Sequence, residues 1–209
     1  MSSFAVLIPV KSSGAKSRLA PILSLRARRE LEFLLLAGVL RALSEAELLA
    51  ETYVITSDPQ ILRLAAGSGA SVVEESKDQG VNAAVEAGVR ALGRPAKVLV
   101  LPSDLPLLRA SEVKHLMRLS ELLRVVIAPS ASFNGTNALL FPPNAGFALS
   151  YDRDSFWNHI RGSSRQGLSV AVSSEPGLTF DLDSPEDLRF LAKLRTRSSA
   201  AEFARRVTR

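Results

Sequence analysis

Short apolar runs rich in β-branched residues take turns with longer stretches of helical spacing from residue 4 to residue 130. "FAVLIPV" (4–10) has no polar residue, as expected of a strand buried on both faces of a sheet. "RARRELEFLLLAGVLRAL" (26–43) sets Leu31, Leu34, Leu35, Val39 and Leu43 at helical intervals. The exchange then repeats. Strands are expected at 51–57, 70–75, 96–103 and 123–130, and helices at 57–69, 80–92 and 111–122. The helix at 57–69 has Pro59 in its first turn and Gly67 or Gly69 to close it. A β-α-β-α order with short connections predicts an α/β fold of one domain, doubly wound, with a mostly parallel sheet flanked by helices. Beyond residue 130 the pattern is less regular, and no linker or internal repeat divides 1–194.

With 209 residues, 46% hydrophobic and 22% charged, the chain can bury a sizeable core. No apolar run reaches membrane-spanning length; "LEFLLLAGVL" is broken by Glu32 and flanked by Arg28, Arg29 and Arg41. The start, "MSSFAVLIPVK", lacks the basic-then-apolar order of a signal peptide and reads as a first strand. The absence of Cys excludes disulfides, thiolate metal sites and Cys nucleophiles, and fits a cytoplasmic protein. The net charge of +5 invites a nucleic-acid reading. However, residues 195–209 hold five Arg against Glu202 alone, a net +4, so the body is nearly neutral. This basic segment is expected to be a frayed or loosely docked terminal helix or tail, not a nucleic-acid arm. Phe203 is its only ring, and single-strand binding needs stacking surfaces.

In doubly wound sheets, ligands bind beyond the carboxyl ends of the strands. "PVKSSGAKSR", "TSD", "LPSDLP" and "APSASFNGTN" each begin where an expected strand ends, so they share one rim. The first loop is neither a Walker loop, having no Gly-Lys-[Ser/Thr], nor a dinucleotide fingerprint, its only glycine being Gly14. It carries Lys11, Lys16 and Arg18 with no acid close in sequence, which suits a polyphosphate or a plain basic surface loop.

The acids narrow the choice. Asp104 follows a wholly apolar strand between Pro102 and Pro106, where a carboxylate is costly without a cation to offset it. Asp181 and Asp183 in "LTFDLDSPEDL" are two apart and so share a face of an extended segment. Ser184 and Pro185 look like a helix cap and first position, leaving Asp183 as either a site residue or a support for that cap. Asp187 reads as a favourable charge at the helix start. Carboxylates from separate strand ends beside a basic loop are the equipment of Mg²⁺-assisted transfer on a nucleoside triphosphate. Other machinery is scarce: two His (His115 and His159), no Cys and no Gly-x-Ser-x-Gly elbow. His115 falls in a helical stretch and reads as surface or packing.

With these pieces in order the chain resembles the 2-phospho-L-lactate guanylyltransferase family, also described as phosphoenolpyruvate guanylyltransferase, whose relatives are the MobA-like nucleotidyltransferases. The resemblance runs from Val6 to about Leu194. It rests on "PVK" followed by "KSRL", "GVNAAV", "LPSDLPLL", "APS" with "NGTNALL", "DSFWNH" and "DLDSPEDL". It implies a Rossmann-like nucleotidyltransferase fold and transfer of GMP from GTP to a three-carbon phospho-acid, 2-phospholactate or phosphoenolpyruvate, in coenzyme F-420 biosynthesis. Lys11, Lys16 and Arg18 would face the triphosphate, and Asp104, Asp181 and Asp183 would hold Mg²⁺. Gly80 and Asn82 of "QGVNAAV" would meet the nucleotide, Asn82 alternatively serving as a helix cap. Ser57 and Pro102, on the same rim, join them as nucleotide-binding candidates. Gly135, Thr136 and Asn137 would face the acceptor, as would Ser155 from a helix start, where a plain cap is the alternative. Phe156 and Trp157 read as core.

Two departures stand out. "YDRDSF" puts Asp152 where the family usually has Gly, with Arg153 beside it to supply charge, and Asn134 stands where a second Gly before Gly135 is commoner. The rivals are a MobA-like enzyme for a molybdopterin or sugar phosphate, which typically opens with a Gly-Gly loop absent here, and a non-catalytic nucleotide- or nucleic-acid-binding protein. Base choice, acceptor identity and oligomeric state, homodimer included, stay open at this level.

Overall fold

The computed structural model describes residues 4–11, 16–93, 95–122, 124–146 and 148–208. Gly14, Arg209 and Leu123, the first residue of the expected fifth strand, lie outside the described residues. Among the described residues seven strands form one sheet: β1 (Phe4–Pro9), β2 (Thr52–Thr56), β3 (Ser71–Glu74), β4 (Lys97–Val100), β5 (Val125–Pro129), β6 (Thr136–Phe141) and β7 (Val170–Val172). Their spatial order is β3-β2-β1-β4-β6-β5-β7. Only β6 runs antiparallel to its neighbours, β4 and β5. The mostly parallel sheet therefore agrees with expectation, while β6 and β7 were not assigned from the sequence.

Strand alternation sorts the core onto two faces. Val6 and Ile8 of β1 join one cluster and Leu7 the other. The first face is covered by α1 (Leu25–Glu45), α2 (Pro59–Gly67) and α4 (Ala110–Leu122), the second by α3 (Val81–Ala91) and α5 (Ser155–Arg165). Each fully buried aliphatic side chain contributes roughly 1.5–3 kcal/mol, so a sheet lined on both faces by Val, Ile and Leu dominates stability. Local chemistry sets the helix starts. Ser24 caps α1, and Asp58 caps α2 with Pro59 at its first position. Gly88 lets α3 lie close on the sheet, since a Cβ there would meet Ile55 Cδ1 at 2.7 Å.

A third cluster corrects the reading of the C-terminus. Beyond the short α6 (Pro176–Thr179) lie α7 (Pro185–Lys193) and α8 (Ser199–Val207); α7 packs against α8, and α8 against α1. Phe203 is 2% exposed, and Ala200, Ala201 and Ala204 are buried with it among Leu19, Leu31, Leu35, Leu188 and Leu191. Arg205 donates to the carbonyls of Leu194 and Thr196, and Arg206 pairs with Glu30. The segment expected to be a frayed or loosely docked helix is a helix, but a firmly docked one, because its small residues and Phe203 share one helical face. No helix among the described residues is long and apolar enough to cross a membrane.

Candidate active site

In this strand order β1 and β4 are neighbours whose crossovers leave in opposite directions, which opens a crevice at their carboxyl ends. Lys11 follows β1 there, and Pro102, Ser103 and Asp104 follow β4. A third segment is fastened alongside: the Leu182 N–H donates to the Asp104 carbonyl at 3.1 Å. Leu182 is buried in the third cluster, so its neighbours Asp181 and Asp183 project the other way, toward the crevice.

The first surprise is where the basic loop goes. Lys16 Nζ lies 2.6 Å from Asp104 Oδ2 and 3.0 Å from Asp183 Oδ1, and Arg18 lies 3.3 Å from Asp183 Oδ2. Lys16 and Arg18 are thus not unpaired. The partners missing from the local sequence arrive from 88 to 167 residues away. Burial alone would lower the Lys16 pKa, but the two carboxylates outweigh it and hold the ammonium above the ordinary lysine value. Burial works against the charged form of Asp183 too, and Lys16, then Arg18 and Lys11, overcome it and keep its pKa below the usual carboxylate range. Asp181 is pushed up by burial and by the charge of Asp104, with Asn137 Nδ2 donating to it at 3.1 Å. Asp183 serves both readings: its carboxylate meets Lys16 and Arg18, while its N–H donates to Asp187 Oδ2 at 3.0 Å and so joins the cap. Ser184 caps α7, and Asp187 closes the capping box by accepting from the Ser184 N–H.

Whether these acids suit a metal can be judged from their own state. Among the described residues no three His, Cys, Asp or Glu side chains form a ready-made cage. Yet Asp104 Oδ1 is buried without a partner, and the cation between Asp104 and Asp183 is a lysine ammonium. An orphaned carboxylate oxygen beside acids that repel one another fits a hard cation bound by few carboxylates, completed by water and phosphate oxygens.

Two cavities open from this point. One, of about 350 Å³, is lined by Lys11, Lys16, Arg18, Pro102, Asp104 and Asp183, among others. The second, of about 700 Å³, is lined by Arg18, Gly135, Thr136, Asn137, Ser155, Asp181 and Asp183, with Asp152 and Arg153 also on its wall. Arg18 and Asp183 border both. Gly80 caps α3 at φ 88°, a backbone state suited to glycine, and flanks Lys11 in a shallow third hollow.

Two other candidates fall elsewhere. Ser57 and Asn82 line none of these three hollows. Asn82 is not a cap either: its Oδ1 accepts from the Tyr151 N–H at 2.8 Å and its Nδ2 donates to Asp152 at 3.3 Å. The Gly135 N–H is taken by Ser130 Oγ at 3.0 Å. Ser155 is the first residue of α5, with Asp154 in the cap position, and its hydroxyl donates to Thr136. Phe156 is core as expected, but Trp157 is 48% exposed. Three of the four non-glycine residues at positive φ among the described residues, Lys16, Phe133 and Asp154, lie in the loops around these cavities, where strain gathers at working sites.

Sequence reasoning passed over His159. It is wholly buried behind the second cavity and bonded to Thr136 and to the Ser150 N–H. Its signal was a polar residue four after Ser155 on a helix whose other face is wet.

The family described as guanylyl transferase CofC like matches residues 4–208. The chain belongs to this guanylyl transferase family. It is 41% identical over 192 residues to a phosphoenolpyruvate guanylyltransferase of Rubrobacter xylanophilus, covering 90% of this chain and 92% of that one. It is 32% identical over 183 residues to a 2-phospho-L-lactate guanylyltransferase of Methanocaldococcus infernus, covering 87% and 81%. A 3-phospho-D-glycerate guanylyltransferase of Phenylobacterium zucineum is 35% identical over 179 residues, covering 83% and 82%. In fold, it superposes with a TM-score of 0.80 on a nucleotide-diphospho-sugar transferase structure from Desulfovibrio desulfuricans, at 17% identity over 99% of this chain and 95% of that one. The guanylyl transferase is therefore a nucleotidyltransferase in family and in fold.

Proposed function

We propose that this enzyme moves GMP from GTP onto a phosphate oxygen of a three-carbon phospho-acid, phosphoenolpyruvate or 2-phospholactate, with release of pyrophosphate. The observation that carries the reading is the shared wall. A basic cavity and a donor-lined cavity meet at Arg18 and Asp183, so a triphosphate in the first and an anionic acceptor in the second would touch the same residues. The acceptor oxygen attacks the α-phosphorus, the bond to the bridging oxygen breaks, and both electrons leave with pyrophosphate. No general base is required, because the attacking phosphate is already ionised.

Lys11, Lys16 and Arg18 bind the triphosphate oxygens and offset charge growing toward the leaving group. To do so, Lys16 leaves its two carboxylates. Asp104, Asp181 and Asp183 would then hold Mg²⁺, which when bound supplies charge neutralisation at the phosphates. Gly80 gives the nucleotide a close backbone approach, and Thr136 and Ser155 orient the acceptor. The family resemblance assigns the product to coenzyme F-420 biosynthesis, and the reading extends to a cytoplasmic setting, where GTP is available.

Asp152 on the wall of the acceptor cavity supports one alternative acceptor. A carboxylate there suits a phospho-acid with a donor hydroxyl, such as 3-phospho-D-glycerate. The test is pyrophosphate release with GTP and Mg²⁺ against all three acids, with ATP, CTP and UTP as controls. Turnover with GTP and one acid supports the reading and names the acceptor; GTP binding without turnover on any acid defeats it.

A further inference from the structure

Behind the acceptor cavity, α5 turns Ser155 and His159 toward Thr136 of β6. The two lie four residues apart and so share a helix face. The ring of His159 is fully buried, with Tyr151 edge-on at 4.9 Å between ring centres. Its Nε2 stands 3.0 Å from the Ser150 N–H, a group that can only donate, so Nε2 is the bare acceptor nitrogen. Burial keeps the ring neutral by drawing its pKa down to about 4. A neutral ring with a bare Nε2 carries its proton on Nδ1, which lies 2.9 Å from Thr136 Oγ1. Ser155 Oγ donates to the same oxygen at 3.3 Å.

Two incoming donors fill both lone pairs of Thr136 Oγ1. The hydroxyl's own proton meets no acceptor among the described residues, and Thr136 lines the 700 Å³ cavity. We propose that His159 is a positioning residue that, by donating from Nδ1, fixes the Thr136 hydroxyl as an outward proton donor to the anionic group of the acceptor. The proposal deepens the functional reading above and rests on it. Without the His159 donor, Thr136 is free to turn its proton inward and present a lone pair to an anion, which repels instead of binding.

Nuclear magnetic resonance of the full chain with ¹⁵N-labelled histidine tests the premise without any substitution. A protonated Nδ1 and a bare Nε2 at neutral pH are expected for His159; the opposite tautomer or an imidazolium overturns the proposal. Kinetics with GTP and phosphoenolpyruvate test the consequence. His159→Leu and Thr136→Val should each raise KM for the acceptor at least tenfold while KM for GTP stays within twofold. The double variant should be no worse than either single one, since both remove the same oriented donor. His159→Asn, whose amide nitrogen can stand near the position of Nδ1, should recover most of the loss. Additive losses, or an equal rise in KM for GTP, sink the idea.

Calorimetric binding of inorganic phosphate gives a readout that needs no turnover and separates this proposal from the reaction assignment. Phosphate binding weakened at least tenfold in both single variants, with GTP binding intact, supports the oriented donor. Unchanged phosphate binding in folded His159→Leu, or in Thr136→Val where the leucine variant does not fold, overturns it. Silence with every acceptor would defeat the transfer reading instead.

Discussion

The two cavities are held together by different physics. Around the first, three chain segments meet through charge: Lys16 between Asp104 and Asp183, with Arg18 outside. Behind the second, a neutral ring and two hydroxyls meet through hydrogen bonds that leave, among the described residues, the proton of Thr136 to face the cavity. Lys16 is mostly buried, so it can leave Asp104 and Asp183 only where other charges replace it; in the proposed reaction a polyanion takes the ammonium and a cation takes its place between the acids. A buried neutral network has nowhere to go, because an unmatched polar atom in the core costs about 1–3 kcal/mol. On the proposed reading the first site rearranges on binding, whereas the second is preformed.

The largest expected break is Asp104→Asn, which should lower turnover at least a hundredfold while the melting temperature moves little, as pyrophosphate release and a thermal melt on the same sample would show. A folded variant of undiminished activity would remove Asp104 from the reacting centre. Lys16→Met should raise KM for GTP about tenfold. It also leaves Asp104 and Asp183 facing each other without their cation, so added Mg²⁺ should raise its melting temperature more than it does that of the unaltered protein. Equal Mg²⁺ shifts would argue against a shared position for the ammonium and the metal.

Acid titration of stability sharpens the contrast. The pKa of His159 in the fold, about 4, lies below its unfolded value of 6.5. The fold therefore favours the neutral ring, and that stabilisation is complete above 6.5 and fades as pH falls toward 4. Between pH 7.5 and 5.5 the loss is about 1 kcal/mol, roughly 3 °C in melting temperature for a chain of this length. Asp183, lowered from 3.8, loses its contribution only on further acidification below that value. Differential scanning calorimetry over both windows should find the first absent in His159→Leu and present in Lys16→Met. The smallest effect belongs to Arg18→Gln. With its side chain 75% exposed, this change should shift stability by less than about 0.5 kcal/mol. It should nonetheless raise KM several-fold for GTP and for the acceptor, because Arg18 borders both cavities. A rise for one substrate alone would deny the shared wall.

Much of the site was legible because its chemistry conflicts with its surroundings. Asp104 three residues past the apolar run 98–101, and Asp181 and Asp183 flanking the apolar Leu182, stand out as carboxylates that a core would not keep without a purpose. The alternation of β1, α1, β2, α2 and onward was legible because periods of two and 3.6 leave different marks. The elements after residue 130 were not. β6 carries Asn137 and Thr136, polar groups tolerated only because Asp181 and His159 meet them in space. The tail was expected as a helix but a loose one, judged from its arginines, whereas Phe203 and three alanines on one face fasten it.

The sequence by itself determined the alternating fold, the rim on which ligands bind and the acids and bases available there, since each follows from local period or from the cost of burying charge. Tertiary structure alone decided who pairs with whom. Lys16 meets Asp183 across 167 positions, and Thr136 meets His159 through a helix packed behind a strand. Such partnerships are set by how the sheet is ordered and by which helix faces are buried, and no local pattern of residues carries that information.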